Sequence, residues 1–173
     1  MKSLLLYRIL SYFLLIIAAI FAIAALFALL IALSNPALLL SVFVIVAVVI
    51  YSIASFLFLI NGINGNRPLQ PKLRDWIKVN AYVALVFVMM NIFQSVAVLQ
   101  NPTILSEAVK QVLDMQKSAS PISADLMLRI MKAVVWFFLF YAIVLGIHIS
   151  FTFRYLKQYA HLFGPKGSSS QGL

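Results

Sequence analysis

The residues that could do chemistry inside this 173-residue chain are amides, hydroxyls and a histidine, all set in long apolar stretches. Asn91 and Gln94 stand three residues apart, so a helix would place both amides on one face. His148 occupies a second apolar stretch, at a depth similar to that of Ser52 and Ser55 in a third. Such groups could line a substrate path, or they could join helices by hydrogen bonds, because unpaired polar groups are costly in lipid.

For His148 the sequence leaves a structural and a functional interpretation open. The structural one is a hydrogen bond to a hydroxyl of another apolar stretch, from Tyr51, Ser52 or Ser55. The functional one is a proton-responsive or ligand-contacting side chain, since an unperturbed imidazole changes its charge near neutral pH. The structural interpretation is favoured because no carboxylate stands nearby in the sequence. For Asn91 and Gln94, likewise, a hydrogen bond between helices is favoured over substrate binding in a cavity, so both amides should point into the bundle or at a partner.

The acidic residues argue against an enzyme. The chain has only four Asp and Glu, and no charged residue of either sign lies in the middle of an apolar stretch. Coupled transport typically uses carboxylates within the membrane, and hydrolysis or group transfer needs acids, bases or metal ligands. There is no cysteine, no His/Asp/Glu cluster with metal-ligand spacing, and neither GxSxG nor HExxH occurs. We therefore predict no catalytic residues, no metal and no cofactor.

The elements that carry these residues have the length of membrane spans. The chain is 64% hydrophobic and 10% charged, whereas a soluble domain has about 25% charged residues. Four runs without a charged residue are each long enough for the roughly 20 residues that cross about 30 Å of hydrocarbon. We predict an all-α integral membrane four-helix bundle in a single domain, residues 1–162, with spans at about 7–33, 37–61, 74–100 and 126–157.

The connections between the spans predict one further helix. In residues 103–118, apolar and charged side chains fall on opposite faces at helical spacing. This amphipathic helix, between spans three and four, could lie on the outer leaflet, cover the bundle or dock a partner. Asn35 and Pro36 are typical of a capped helix start, and Gly62 of a helix end in the left-handed conformation. The Gly- and Ser-rich residues 163–173 are predicted to form a disordered cytoplasmic tail.

Lys and Arg set the predicted orientation. They concentrate at both ends of the chain and in residues 62–78, whereas the loop after the third span balances its basic residues with acidic ones. The positive-inside rule then places both termini in the cytoplasm, with Trp76 and Trp136 as anchors at the inner and outer interfaces and Tyr7 in the inner aromatic belt. A candidate surface for anionic lipid head groups or a partner follows: Arg67, Lys72, Arg74 and Lys78. The net charge of +9 is thereby explained without nucleic acid.

Small residues predict a packing face on the first span. Ala18, Ala25 and Ala32, with Ala22 and Ala28 between them, recur at three- to four-residue spacing, and small residues let helix backbones approach closely. The sequence leaves open whether this face packs within one chain or between two copies. The two halves of the chain share neither sequence nor loop length, so no internal repeat is predicted.

These observations predict a non-enzymatic small membrane protein, an accessory, scaffold or regulatory subunit that binds other membrane proteins. The alternative is an oligomeric transporter or channel for a small neutral or lipid-like solute, with Asn91, Gln94 and His148 along its path. The spans contain no proline, which disfavours this alternative because many transporters bind substrate where helices are broken. The expected partners are a bilayer with anionic head groups on its cytoplasmic side and a membrane protein or second copy. The expected location is the bacterial inner (plasma) membrane.

Overall fold

The computed structural model describes residues 2–115 and 123–164. Over these residues the chain is helical and has no strand, with five α-helices: α1 Lys2–Ser34, α2 Leu39–Leu57, α3 Pro71–Gln100, α4 Pro102–Met115 and α5 Ala124–Gln158. Four helical stretches are long and apolar enough to cross a membrane: Ser3–Ser34, Pro36–Asn64, Pro71–Gln100 and Ala124–Gln158. The prediction of an all-α chain with four membrane-length apolar helices is confirmed. Residues 116–118 of the predicted outer helix lie outside the described residues.

The second apolar helix begins where the Asn-Pro pattern predicts. The side-chain oxygen of Asn35 accepts a hydrogen bond from the Ala37 backbone N–H at 3.2 Å, which satisfies one of the unpaired donors at a helix start. Pro36 opens a short 3₁₀ helix, Pro36–Leu38, that leads into α2. Its missing N–H costs nothing there, because the first helical donors have no partner within the helix.

The end of this helix differs from the prediction. Helical backbone continues past Gly62 as a π-helix, Phe58–Asn64, and the left-handed residue is Asn66, with φ of 46°. Gly62 is buried, and a Cβ there would stand 2.8 Å from Leu69 Cδ1. The glycine therefore makes room for a close packing contact and does not reverse the chain.

The last described residues pack onto this helix end. The Leu69 backbone N–H donates to the Leu162 carbonyl at 2.7 Å, and Leu162 belongs to a 3₁₀ helix, Ala160–Phe163. Phe163 is buried, with its ring centroid 5.5 Å from that of Phe58. Of the tail predicted to be disordered, the structure thus describes Phe163 and Gly164, while residues 165–173 lie outside the described part.

The described chain forms two compact units, with boundaries after Val86 and Val144. The first unit contains α1, α2, the start of α3 and the end of α5, and in it α1 packs against α2. Ala18, Ala25 and Ala32 are all buried, at seven-residue spacing. The alanine face is therefore covered within one chain. The second unit contains the remainder of α3, α4 and the start of α5.

Burial along α3 repeats burial along α1. When residue 7 is aligned with residue 77, the two helices are buried, half-buried or exposed at the same positions through residues 28 and 98. The one departure is Ile17, which is buried where Phe87 is half-buried. α1 and α3 are thus covered on the same face, although most of their aligned side chains differ.

The same relationship joins α2 to α5. Aligning Tyr51 with Tyr141 gives identical burial from 51 to 59 and from 141 to 149. Both tyrosines have no exposed surface. The helix pairs α1–α2 and α3–α5 therefore repeat one burial pattern, and α4 is an insertion in the second pair. Residue types alone do not reveal this repeat.

Candidate functional site

Among the described residues, a set of five polar side chains joined by hydrogen bonds lies in the first unit. Tyr7 and Ser11 come from α1, Tyr51 from α2, and His148 and Thr152 from α5. No more than 2% of any of these five residues is exposed. We refer to these five residues as the His148 network.

Both ring nitrogens of His148 have partners. Nδ1 lies 2.8 Å from the hydroxyl of Tyr51, and Nε2 lies 2.8 Å from the hydroxyl of Ser11. The Tyr7 ring stacks on the imidazole, with centroids 4.8 Å apart and planes 12° from parallel. The Tyr51 contact is the hydrogen bond that the sequence predicted between His148 and a hydroxyl of the second span.

The remaining contacts complete the network. The Ser11 hydroxyl donates to the Tyr7 carbonyl at 2.8 Å. A neutral imidazole donates from one ring nitrogen and accepts at the other, and a hydroxyl can serve as partner to either nitrogen. The hydroxyl of Thr152 donates to the His148 carbonyl at 2.9 Å and lies 2.9 Å from the Tyr51 hydroxyl. Every hydrogen-bonding atom of the imidazole is therefore satisfied.

This geometry fits a connection between helices better than a reactive site. The network joins α1, α2 and α5 in a region without solvent exposure, and a fully satisfied polar network in an apolar interior holds its elements in one arrangement. Neither imidazole nitrogen is left to bind a solute or a metal. Within residues 2–115 and 123–164, no group of three or more His, Cys, Asp or Glu could hold a metal ion.

The network occurs in only one of the two repeated helix pairs. At the positions aligned with Tyr7 and Ser11, α3 has Ile77 and Ala81. At the positions aligned with His148 and Thr152, the second apolar helix has Phe58 and Gly62. The repeated burial pattern therefore tolerates apolar residues at these positions, and the polar set is a feature of this sequence beyond what the packing needs.

Ser52 and Ser55, predicted as alternative partners of His148, bond within their own helix. The Ser52 hydroxyl donates to the Val48 carbonyl at 2.9 Å, and the Ser55 hydroxyl donates to the Ser52 carbonyl at 3.1 Å. Both are buried. Each hydroxyl thus donates to a backbone carbonyl about one turn earlier in α2.

The two amides of α3 are in different surroundings. Asn91 is half-buried and donates to the Phe87 carbonyl of its own helix at 3.1 Å. Gln94 is exposed, whereas its neighbour Ser95 is buried. Both amides belong to the second unit and His148 to the first. The sequence expected the two amides to point inward or at a partner, and of the two only Gln94 faces outward.

The four residues of the predicted basic surface differ in their exposure. Arg67 and Lys72 are exposed, whereas Arg74 and Lys78 are half-buried. Arg74 and Lys78 line a groove of about 540 Å³ with a third cation, Lys157 of α5. The rest of its lining is Tyr82, Phe153, Leu156 and Ala160.

The aromatic residues predicted for the membrane interfaces also differ in their exposure. Trp76 and Trp136 are both exposed on their helices, and their places at two membrane interfaces stay a prediction. Tyr7, predicted for the inner aromatic belt, is instead fully buried against His148. The sequence contained one indication that Tyr7 faces inward. Tyr7 and Ser11 are four residues apart, so they share a polar helix face.

Comparison with known protein families, with curated proteins and with solved structures finds no match to this chain. What the protein does must therefore follow from its own residues. Besides the His148 network, two features of the described residues bear on function. They are the outward amide of Gln94 and the groove that contains Arg74.

Proposed function

We propose that this protein is a non-enzymatic integral membrane component that binds another membrane protein through the outward face of α3. The observation that carries the proposal is the exposure of Gln94. It lies five residues from the middle of the charge-free run 79–99, about 7 Å along the helix axis. That depth falls within the hydrocarbon, where an unpaired amide is unfavourable and a hydrogen bond to a neighbouring helix is the usual remedy.

The surroundings of Gln94 support a protein contact. Met89, Met90 and Phe93 are exposed beside it, with Phe93 exposed to 71%. Methionine adapts to irregular partner surfaces, and buried aromatic rings contribute much of the energy of interfaces. This set, with Gln94, is termed the Gln94 face.

The repeated burial pattern provides an internal comparison. The positions of α1 aligned with the Gln94 face are all exposed: Ala19, Ile20, Ile23 and Ala24. That face is purely aliphatic and suits lipid chains. The amide therefore distinguishes α3 from its structural counterpart, as expected for a face with a specific partner.

The proposal includes a topology of four spans in a bundle, with both termini in the cytoplasm of a bacterium and the chain in the inner membrane. Its support is the distribution of Lys and Arg. The helix α4 is then an amphipathic helix on the outer side. Leu105 and Val109 are buried along one side of α4, while Glu107 and Lys110 are exposed on the other, which favours packing of its apolar side on its own chain.

The His148 network favours a binding role over transport. A solute path along Asn91, Gln94 and His148 would need a free atom on the imidazole, and both nitrogens are occupied by hydroxyls of the same chain. No part of His148 is exposed.

Co-purification tests the proposal. The tagged chain is extracted in mild detergent, and the membrane proteins recovered with it are quantified by mass spectrometry. Gln94→Leu should lower recovery of the partner about threefold, as the mean strength of an interhelical hydrogen bond in a membrane implies. Ala24→Leu, at the aligned position of α1, is the matched control and should leave recovery unchanged. Recovery of the chain without a partner, or equal recovery with Gln94→Leu, would contradict the proposal.

A further inference from the structure

The groove that contains Arg74 lies between the first turns of α3 and the last turns of α5, within the first unit. Three cations line it, from Arg74, Lys78 and Lys157. Arg74 and Lys78 are four residues apart, so they stand on one face of α3, one turn apart along its axis. The groove therefore concentrates positive charge that the sequence showed only as a diffuse basic segment.

No carboxylate of the described chain neutralises this charge. The ion pair found within residues 2–115 and 123–164 joins Arg129 to Asp125, and neither residue lines the groove. Asp75 follows Arg74 but does not line the groove, because consecutive residues of a helix point in different directions. The Nε of Arg74 is buried and has no hydrogen-bond partner, and a buried donor without an acceptor is costly.

In the first helix pair the protein itself supplies an acceptor for one guanidinium nitrogen of Arg8, whereas the Nε of Arg8 is buried without a partner, like that of Arg74. Arg8 of α1 aligns with Lys78 of α3, and its guanidinium donates to the side-chain oxygen of Asn64 at 2.7 Å. The residue of α5 aligned with Asn64 is Arg154, which has no acceptor atom. The second pair therefore lacks the side-chain acceptor that the first pair provides, and its cations are open to an acceptor from a bound group.

The groove changes in character along its length. Arg74, Lys78 and Lys157 lie toward the ends of their helices. Tyr82 and Phe153 each lie one turn further into the apolar part, with ring centroids 5.5 Å apart. Charge at the helix ends and aromatic surface one turn deeper match an amphiphile that has an anionic head and apolar chains.

We propose that this groove binds the phosphate of an anionic phospholipid, with Arg74, Lys78 and Lys157 around the phosphate and the first part of the acyl chains along Tyr82 and Phe153. Basic pockets between membrane helices are suited to such head groups. A free phosphate ion would use the same cations, but it would leave the aromatic half of the groove without a ligand. The volume of about 540 Å³ is in the range of small-molecule sites.

Lipid binding to the purified full chain in detergent tests this proposal. Dioleoyl-phosphatidylglycerol is titrated and its apparent Kd is obtained from the shift in thermal unfolding temperature, with dioleoyl-phosphatidylcholine and inorganic phosphate as separate arms. Arg74→Gln with Lys78→Gln should weaken phosphatidylglycerol binding roughly 25-fold, at about fivefold for each cation removed. Lys157→Gln should weaken it about fivefold.

The matched control removes the same charge from the same segment outside the groove. Arg67→Gln with Lys72→Gln should leave the Kd within about twofold, since both side chains are exposed and neither lines the groove. An equal loss of affinity for phosphatidylglycerol in this control would mean that diffuse surface charge binds the lipid and that no defined site exists. That result would overturn the proposal. Equal binding of phosphatidylcholine, or displacement of phosphatidylglycerol by millimolar inorganic phosphate, would overturn it as well. Lys157 is exposed, so its variant decides the outcome even where the double variant fails to fold.

Discussion

The Nδ1 atom of His148 in α5 lies 2.8 Å from the hydroxyl oxygen of Tyr51 in α2, a residue 97 positions earlier in the chain. The pair is completely buried, and Ser11 of α1 occupies the other imidazole nitrogen. One side chain thus connects three helices. Because polar groups without partners are unfavourable in such surroundings, the pair has measurable consequences for stability.

Removal of the Tyr51 hydroxyl should destabilise the protein. Tyr51→Phe keeps the ring but leaves His148 Nδ1 without its hydroxyl partner, so the free energy of unfolding should fall by about 1–3 kcal/mol. Thermal or denaturant-induced unfolding in detergent measures it. Tyr12→Phe is the control, because Tyr12 is exposed and its ring packs on Phe56. Equal stability of Tyr51→Phe and wild type would show that the contact contributes nothing.

The two partners should be energetically coupled. We expect His148→Phe to destabilise the chain alone, because it removes one hydrogen-bond partner from each of the hydroxyls of Tyr51 and Ser11. Combined with Tyr51→Phe it should cost less than the sum of the single changes, by about 0.5–3 kcal/mol. Phe58, at the position aligned with His148, shows that an aromatic ring suits this degree of burial. Additive effects in the double-mutant cycle would exclude a direct interaction.

Glycine substitutions should rank by what a new Cβ meets. Gly65→Ala should cost the most, about 1–3 kcal/mol, because the methyl group would stand 2.8 Å from the Asn61 carbonyl oxygen, part of the backbone. Gly62→Ala should cost less, because Leu69 Cδ1 at 2.8 Å is the end of a flexible side chain. Gly164→Ala, with its nearest atom at 3.6 Å, is the control. Unfolding temperatures in the reverse order would contradict the packing described for this helix end.

The alanine face should not tolerate larger residues. Ala25 is buried, so Ala25→Leu should destabilise the chain by about 1–3 kcal/mol through overpacking. Ala24 is exposed, and Ala24→Leu should have little effect. Unfolding measured in the same detergent compares the two. A tolerated Ala25→Leu would mean that α1 does not pack closely on this side.

Because the chain has no cysteine, single cysteines report the orientation cleanly. With both termini in the cytoplasm, Ser106→Cys in α4 should react with a membrane-impermeant maleimide in intact cells. Lys72→Cys, at the start of α3, should react only after the membrane is opened. Both positions are exposed. Labelling of both from the same side would refute four spans with this orientation.

The all-helical class and the number of membrane-length apolar helices could be predicted from the sequence because they depend on local properties. A charge-free run of sufficient length must form its hydrogen bonds within its own backbone in a membrane, and that requirement selects a helix regardless of its neighbours. The start of the second apolar helix at Asn35 and Pro36 is local in the same sense. The close contact of Gly62 with Leu69 was not predictable in this way, since Leu69 lies outside the helix that contains Gly62.

The site was predictable only in part. The sequence predicted a hydrogen bond from His148 to the second apolar helix, but it could not select Tyr51 over Ser52 or Ser55. The rotation of that helix about its axis decides between Tyr51 and Ser52, and its position along the axis decides between Tyr51 and Ser55. It singled out Gln94 as costly in lipid but could not tell that Gln94 faces outward while Ser95 faces inward.

By itself, then, the sequence determined what each segment is: a long apolar helix, a capped start, a basic end. Only the tertiary structure decided which segments meet, such as Lys157 joining Arg74 and Lys78, or α3 repeating the burial of α1. The physical reason is that a helix forms through contacts within four residues along the chain. The rotation of each helix about its axis depends instead on packing against residues far away in the sequence.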